Sequence, residues 1–394
     1  MNIRFARRMA SVRPSTIREI LKVTQQPDII SFAGGLPAPE LFPVSEIKVA
    51  AERVLTDNGP QALQYGQTEG YLPLRETFAA ETRSRGISCA AEDVLITTGS
   101  QQSLDLTARV LLDPGDCILT ENPTYLAALQ AFQSCEVRFA AVPTDEGGLI
   151  PEALPELIER EHPKLLYTIP NFQNPTGVTL RRERRQALYE IAARYGLLIL
   201  EDDPYGKLRY TGEDIPPVKA LDTQGLVIYM STVSKTVAPG LRTGWVVAPE
   251  EIAHKIVICK QAADLHSSSL DQRILHAYFR DFDNQAHVNR IRQAYGERYA
   301  QMDQCLRDAM PPEFSWTHPE GGMFLWVTCP ESVNSSELMP RALQEKVLFV
   351  PGRDFFPDGS GTRYMRLNFS NSSPEKIRTG IARLAGVCAA TALV

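Results

Sequence analysis

Short apolar runs alternate with helical patterns from about residue 90 to residue 250. The runs begin at Val94, Cys117, Val137, Leu165, Leu197, Val227 and Trp245. Between them the apolar residues recur at helical spacing, as in residues 101–112 and 181–195. Strands that are apolar on both faces and alternate with helices form mostly parallel sheets that are covered on two sides. The pattern therefore predicts an α/β fold, with ligands bound beyond the carboxyl ends of its strands.

The pattern changes after about residue 285 and predicts a smaller α+β domain. It shows a long helix, a Pro-Pro break, an apolar run, a second helix and two strands, near residues 287–310, 311–312, 321–327, 337–346, 347–350 and 363–369. We therefore expect an N-terminal arm with part of the small domain, a large domain and a C-terminal small domain, at residues 1–45, 46–285 and 286–394.

Composition narrows the possible partners. The 41 basic and 47 acidic residues give a net charge of −6, which argues against a nucleic-acid or membrane-surface role. No apolar run approaches the ~20 residues that span a bilayer. The seven cysteines are scattered and never spaced as Cys-x-x-Cys. This is typical of reduced thiols in a cytoplasmic protein without disulfides or a metal site.

The N-terminus is rich in arginine. Five arginines precede the first acidic residue, Glu19, as in a mitochondrial presequence: Arg4, Arg7, Arg8, Arg13 and Arg18. The helix-like stretch at residues 15–22 favours an ordered arm instead.

A lysine flanked by hydroxyl groups follows the apolar run 226–230. The segment 231–242 reads Ser-Thr-Val-Ser-Lys-Thr-Val-Ala-Pro-Gly-Leu-Arg, which places Arg242 seven residues after Lys235. A desolvated lysine beside another cation loses its proton easily and becomes a nucleophile. With phosphate-binding hydroxyls next to it, such a lysine suits a Schiff base to pyridoxal 5′-phosphate (PLP).

Two further strand ends carry groups that suit the same cofactor. Asp202 ends a strand and could hold a pyridinium nitrogen protonated, which makes the ring an electron sink. Tyr205 could donate to the ring's phenolate oxygen; the alternative is a polar loop that caps the strand. The turn Gly99-Ser100-Gln101-Gln102 opens a helix and offers backbone N–H groups to a phosphate, although such turns are common.

Three other residues have a functional and an ordinary interpretation. Asn174, in Asn-Pro-Thr-Gly, forms a turn in either case and could also reach the phenolate oxygen. Tyr125 could stack on the pyridine ring or be an ordinary loop aromatic. Arg366 lies in a strand-like run, where it could bind a substrate α-carboxylate bidentately or face solvent.

In this order along the chain, these motifs resemble the fold-type I PLP-dependent aminotransferases of class I/II, most closely those of the 2-aminoadipate (kynurenine) type. The resemblance extends from Ser15 to Phe369. It implies the PLP-dependent transferase fold type I, in which a large domain with a mostly parallel seven-stranded sheet between helices joins a smaller α+β domain. It also implies PLP as cofactor and a homodimer with shared active sites.

The resemblance assigns roles position by position. Lys235 would form the Schiff base and move protons, Asp202 would face the pyridine nitrogen, Asn174 and Tyr205 would hold the phenolate oxygen, and Tyr125 would stack on the ring. The phosphate would be surrounded by Ser100, Gln101, Thr232, Ser234 and Arg242, and Tyr65 would reach the phosphate of the neighbouring subunit. The substrate carboxylate would be bound by Arg366 with the Gly34-Gly35 backbone. Two positions depart from the family. Thr232 replaces a common serine but keeps the hydroxyl, and Lys207 leaves the side-chain pocket in doubt.

Arg18 fits the arm position at which an arginine of such relatives approaches the substrate side chain. There it would pair with a distal carboxylate or move aside for an apolar group. A surface helix arginine is the alternative.

We therefore expect ping-pong transfer of an amino group from an L-amino acid of 2-aminoadipate, aromatic or branched-chain type to a 2-oxo acid, with 2-oxoglutarate as the expected acceptor. β-Elimination, racemisation or cyclisation on the same fold would keep the same motifs. A transcriptional regulator would need a basic DNA-binding domain, which the sequence does not show. A Ser-Lys hydrolase is disfavoured because Ser231 lies four residues before Lys235 and no Gly-x-Ser-x-Gly elbow occurs.

Overall fold

The structure is a computed structural model that describes residues 3–10 and 28–392. Arg18 and the rest of residues 11–27 of the predicted arm lie outside the described residues. The strands are β1 (Ile30–Ser31), β2 (Val94–Thr97), β3 (Cys117–Glu121), β4 (Arg138–Val142), β5 (Thr144–Asp145), β6 (Gly148–Leu149), β7 (Leu165–Thr168), β8 (Leu198–Asp202), β9 (Val227–Thr232), β10 (Gly244–Val247), β11 (Ser315–Trp316), β12 (Phe324–Thr328), β13 (Val347–Leu348), β14 (Val350–Pro351) and β15 (Tyr364–Asn368). The helices are α1 (Val44–Ala62), α2 (Leu72–Ser84), α3 (Ser100–Leu111), α4 (Leu126–Gln133), α5 (Leu154–Glu161), α6 (Arg182–Tyr195), α7 (Glu250–Ala263), α8 (Ser269–Asp281), α9 (Asn284–Ala309), α10 (Ser335–Gln344) and α11 (Pro374–Ala392).

The seven predicted runs form one seven-stranded sheet in the order β2-β10-β9-β8-β7-β3-β4. Strand β10 is antiparallel to both of its neighbours, and the other pairs are parallel. The prediction of a mostly parallel sheet is confirmed. The connection from β9 to β10 contains only short 3₁₀ turns, and a parallel crossover needs a dozen or more residues, usually with a helix.

Helices cover both faces of the sheet, as the apolar strands require. Successive side chains of a strand point to opposite faces, so neighbouring residues enter different cores. On β7, Leu165 packs in a cluster with Phe132 of α4, whereas Leu166 packs in a cluster with Leu188 of α6. The sheet is therefore buried on both sides, and its strand ends remain available for a binding site.

The C-terminal region forms a second, antiparallel sheet in the order β11-β12-β15-β14. Helices α9 and α11 pack on each other, and α10 packs on α11. The strand predicted at residues 347–350 is two strands, because Val347 pairs with Ile30 and Val350 pairs with Arg366. The chain changes sheets at the buried Phe349. The small β1–β13 sheet joins the start of the described chain to its C-terminal part.

The parallel arrangement brings the predicted site to one edge. The carboxyl ends of β2, β7, β8 and β9 lie at the same edge of the sheet, and the chain beyond them carries Ser100, Asn174, Asp202 and Lys235. Parallel sheets place their ligand sites at this edge. Among the described residues, no helix is long and apolar enough to cross a membrane. The seven cysteine thiols are free.

Candidate active site

Lys235 follows β9 in a short 3₁₀ turn that Thr232 caps by accepting a hydrogen bond from the Ser234 amide at 3.2 Å. The half-buried lysine donates from Nζ to the Gly35 carbonyl oxygen at 2.9 Å. Burial lowers the pKa of Lys235 to about 8; the charges of Arg366 and Arg242 lower it further, and Asp202 opposes them. At pH 7, one unit below this value, about a tenth of the amine is neutral, far more than for an ordinary lysine, and the neutral form is what a nucleophile or general base requires.

Asp202 is the last residue of β8 and is buried. Its Oδ2 accepts a hydrogen bond from the Tyr167 hydroxyl at 2.9 Å, whereas its buried Oδ1 has no partner within the described chain. Burial raises the pKa of Asp202 to about 7, against the lowering effect of the Tyr167 hydrogen bond. A cationic N–H donor at Oδ1 would reverse this shift, because it would pair with the charged form. The unpartnered oxygen fits a pyridinium nitrogen.

Arg366 on β15 is 1% exposed, so it is not an outward-facing strand residue. It donates from Nη1 to Asn174 Oδ1 at 2.8 Å and from Nη2 to the Ala33 carbonyl oxygen at 2.7 Å. Its guanidinium carbon lies 4.3 Å from the centre of the Phe324 ring. Its Nε is buried without a partner among the described residues. Burial lowers the pKa of Arg366 to about 10, which leaves it charged at neutral pH.

No described carboxylate lies within ion-pair distance of Arg366; the ion pairs of the described chain involve other cations. A buried charge is costly unless it is paired. The structure therefore leaves a buried cation that lacks an anionic partner, next to Asn174 and within electrostatic reach of Lys235.

An anion site forms where β2 turns into α3. Gly99 has φ +72°, and a Cβ there would collide with the Arg242 guanidinium, so a glycine is needed for this close approach. Arg242 donates to Ser234 Oγ and to the Thr98 carbonyl oxygen, both at 3.4 Å. The N-terminus of α3 at Ser100 adds free N–H groups and the helix dipole. Guanidinium, hydroxyl and amide donors converge here, and this donor set fits a phosphate.

Tyr205, Asn174 and Tyr125 lie around the same space. Tyr205 is buried, with its ring edge-on to Phe324 at 5.9 Å. Burial raises the pKa of Tyr205, and the side-chain hydrogen bond with Asn174 opposes this rise. Tyr125 lies directly before α4 and is half-buried, and the negative charge of its ionised form would raise the pKa of Tyr205. The hydroxyl of Tyr205 therefore stays protonated and available as a donor.

Some predicted residues are not brought into this cluster. Tyr65 is 78% exposed and its ring lies edge-on to His266 at 5.8 Å. The exposed Gln101 side chain donates to the Ala127 carbonyl oxygen at 3.4 Å. Lys207 forms an ion pair with Glu81 at 2.8 Å, so its charge is neutralised there. Arg18 lies outside the described residues.

The sequence interpretation missed Tyr167, Lys260 and Asp264, and it gave Gln102 no role beyond its place in the Gly99 turn. Tyr167 had a detectable signal, because a buried tyrosine hydroxyl usually needs a hydrogen-bond partner and β7 pairs with β8, which ends at Asp202. The other three form a cluster behind the Gly99 turn. The local pattern of α7 gave no sign of it.

The described residues contain no group of three or more metal-ligating side chains. A separate cavity of about 750 Å³ is lined by parts of the loops 177–183 and 315–320. None of the predicted site residues lines it, so its size does not identify it as the active site.

The comparisons with known proteins agree with the geometry. The family described as "Aminotransferase class I and II" matches residues 27–384. Aromatic-amino-acid aminotransferase 1 of Thermococcus litoralis is 45% identical over 387 residues, which cover 97% of this chain and 93% of the relative. The 2-aminoadipate transaminase of Thermus thermophilus is 43% identical over 383 residues, covering 96% of this chain and 95% of the relative.

A solved structure gives the same result. The crystal structure of Pyrococcus horikoshii kynurenine aminotransferase in complex with PMP superposes with a TM-score of 0.94 at 42% identity, covering 98% of this chain and 97% of the other. The predicted fold type I, cofactor and amino-group transfer are thereby confirmed. The chain belongs to the class I and II aminotransferases and is a PLP-dependent transaminase.

Proposed function

We propose that this transaminase takes the amino group from an L-amino acid with an aromatic, 2-aminoadipate-type or branched-chain side chain and transfers it to 2-oxoglutarate in a ping-pong cycle. The observation that carries the proposal is the buried Arg366, charged and without an anionic partner in the described chain. An α-carboxylate, common to every amino acid and 2-oxo acid, supplies that partner. The aromatic, 2-aminoadipate and kynurenine activities named for the relatives support the donor classes.

The bound cofactor supplies an electron sink for negative charge at the substrate Cα. The residues assigned to hold it are Asp202 at the ring nitrogen, Asn174 and Tyr205 at the phenolate oxygen, and Tyr125 on the ring face. The phosphate is assigned to Ser100, Thr232, Ser234 and Arg242, with Gln101 contributing its backbone N–H rather than its side chain. The unpartnered Asp202 Oδ1 and the crowded Gly99 turn support this assignment.

Arg366 has a second role through Asn174. Because its guanidinium donates to Asn174 Oδ1, the amide nitrogen Nδ2 points away from Arg366 and remains a donor. One buried cation thus binds the substrate carboxylate and fixes the orientation of the amide that holds the cofactor. The backbone at Gly34 and Gly35 would lie beside the same carboxylate, as the 2.9 Å contact of Gly35 with Lys235 supports.

Lys235 is the proposed proton carrier. As a neutral amine, Nζ of Lys235 would take the proton from the substrate Cα, and as an ammonium it would give that proton to C4′ of the cofactor. One group serves as base and then as acid. The lowered pKa of Lys235 makes both forms accessible near neutral pH, which supports this role.

A homodimer completes the proposal. Tyr65 is exposed and packs beside His266, so its hydroxyl would serve the phosphate of a second subunit. Leu63 and Leu265 are also exposed apolar side chains, which supports a covering partner.

We retain two further expectations: Arg18 contacts the substrate side chain, and the protein works in the cytoplasm, which its seven free thiols support. The division at residues 45 and 285 is likewise a proposal, supported by the pairing of β1 with β13.

A half-reaction tests the proposal. The PLP-loaded protein is mixed with single L-amino acids without any 2-oxo acid, using 2-aminoadipate, kynurenine, phenylalanine and leucine. A true donor should bleach the visible band of the lysine-bound cofactor and release one equivalent of 2-oxo acid, and 2-oxoglutarate should then restore the band. Release that continues beyond one equivalent, or a band that no donor changes, would refute amino transfer by this route.

A further inference from the structure

Behind the Gly99 turn lies an ion pair between the buried Lys260 and the partly exposed Asp264, which the proposed reaction does not use. Lys260 on α7 is 0% exposed, and its Nζ donates to Asp264 Oδ1 at 2.9 Å, to Gln102 Oε1 at 2.8 Å and to Ser267 Oγ at 3.0 Å. An ammonium removed from water is costly unless its donors are satisfied, and this one has three partners. The buried positive charge of Lys260 is therefore satisfied by these three hydrogen-bond partners.

Gln102 connects this pair to the turn. Its Oε1 accepts from Lys260 and also from the Thr98 amide at 2.8 Å, and its Nε2 donates to Asp264 Oδ2 at 2.7 Å. The Thr98 hydroxyl donates to the same Oδ2 at 3.2 Å. The ion pair therefore holds both the backbone and the side chain of the residue before Gly99.

The opposite side of Thr98 is held by the anion site. Its carbonyl oxygen accepts from Arg242 at 3.4 Å, so the peptide groups before Gly99 are fixed from two directions. Burial lowers the pKa of Lys260, and Asp264 opposes this effect. The Lys260 and Gln102 hydrogen bonds lower the pKa of Asp264 against its burial. Because the charges of Lys260 and Asp264 compensate each other, the pair adds no net charge near the turn. It acts on the turn through the hydrogen bonds that hold Thr98 and Gln102 in place.

We propose that Lys260 and Asp264, acting through Gln102, are positioning residues that hold the Thr98-Gly99-Ser100 turn in the shape that binds the cofactor phosphate. This rests on the proposed phosphate role of Ser100 and Arg242. The pair does not touch the phosphate itself. It fixes the direction of the free N–H groups at the start of α3, on which an anion site of this kind depends.

The test compares PLP with pyridoxal, which lacks the phosphate. Cofactor-free protein is titrated with each ligand, for the wild type and for Lys260→Met and Gln102→Leu. Gln102→Leu removes the link between the ion pair and the Thr98 amide but leaves the ion pair and the Thr98 hydroxyl contact in place, which guards against a folding defect. Each variant should bind PLP more weakly by about tenfold, because the N–H donors of the turn lose their fixed direction and their hydrogen bonds to the phosphate weaken, and should bind pyridoxal as the wild type does.

Lys219→Met is the matched control. Lys219 is also largely buried and pairs with Asp222 at 2.8 Å, but it lies before β9 at the other end of the strand. Its removal should leave the ratio of PLP to pyridoxal affinity unchanged. Equal weakening of both ligands by Lys260→Met and Gln102→Leu would show a general structural role and overturn the proposal, as would no weakening of PLP. Equal affinities of the wild type for the two ligands would refute the phosphate turn itself.

Discussion

The Tyr167 hydroxyl donates to Asp202 Oδ2 at 2.9 Å and leaves Oδ1 as the only oxygen of that carboxylate without a partner among the described residues. Both residues are buried, on the neighbouring strands β7 and β8. The tyrosine therefore orients the carboxylate and stabilises its charged form. This oxygen is the one that we propose holds the cofactor nitrogen.

Tyr167→Phe should shift the acid side of the kcat/KM profile to higher pH. In the proposed role Asp202 acts as a carboxylate, which exists above its pKa. Burial raises that pKa to about 7 in the cofactor-free protein, and a ring N–H at Oδ1 would lower it again, but the Tyr167 hydrogen bond favours the charged form in both states. Loss of the lowering hydrogen bond should raise it by about one further unit. Tyr189→Phe is the control, because it also removes a tyrosine hydroxyl, but one that contacts Thr223 at 3.2 Å and not Asp202. Superimposable profiles for Tyr167→Phe and the wild type would contradict the role of Tyr167.

The cofactor-free protein should capture pyridoxal with a pH dependence set by Lys235. The reactive form is the neutral amine. The fraction of Lys235 in this form increases as pH rises through the pKa of about 8 and then reaches a plateau. Pyridoxal is the probe because it has no phosphate to titrate. The capture rate, followed by absorbance, should level off above about pH 9, one unit above that value. A rate that climbs towards the ordinary lysine pKa of 10.5 would show that the amine is not perturbed.

Arg366→Gln should lower kcat/KM for substrates that carry an α-carboxylate. The loss of a buried charged partner costs about 2–5 kcal/mol, so kcat/KM for the best L-amino acid should fall by roughly 30-fold to several thousandfold. An amine without a carboxylate should react equally poorly with both proteins. Arg363→Gln is the control on the same segment, since Arg363 pairs with the exposed Glu331 at 3.3 Å. A comparable loss with Arg363→Gln would indicate a general effect on β15.

Two inactive variants should complement each other if the sites are shared. In a hybrid dimer of Lys235→Ala with Tyr65→Ala, one site loses both residues and the other keeps both. Random mixing under a twofold symmetric arrangement should restore about a quarter of the wild-type sites. Activity is measured after unfolding and refolding the variants together, with each refolded alone for comparison. Activity that stays at the sum of the separate variants would argue against a shared site.

Much of the large sheet was readable from the sequence because each strand is apolar on both faces. The predicted run at Leu165 became β7, and the run at Val137 lost one residue to become β4. The break between Val347 and Val350 was not readable. Both residues are buried, and only their partners, Ile30 and Arg366, assign them to different sheets.

The candidate site was readable where its residues follow strands. Asp202 and Lys235 come from neighbouring parallel strands, so local spacing and the shared sheet edge were enough to predict their proximity. Lys260 was not readable, because a lysine in a helix usually faces solvent and its burial depends on how α7 packs against α3. The contribution of the Ala33 carbonyl oxygen to Arg366 has no side-chain signature at all.

The pairing of β1 with β13 also determines when the protein can become active during its synthesis. Ile30 leaves the ribosome early, but its partner Val347 is made near the end of the chain. The segment that follows Ile30 carries the Ala33 and Gly35 carbonyl oxygens, which accept hydrogen bonds from Arg366 and Lys235. The active site therefore cannot form before the late strands have been made. The large sheet, complete by Val247, can form during translation, because domains generally fold as units as the chain emerges. The strands of the large sheet are therefore all made well before Arg366, the proposed carboxylate-binding group, leaves the ribosome.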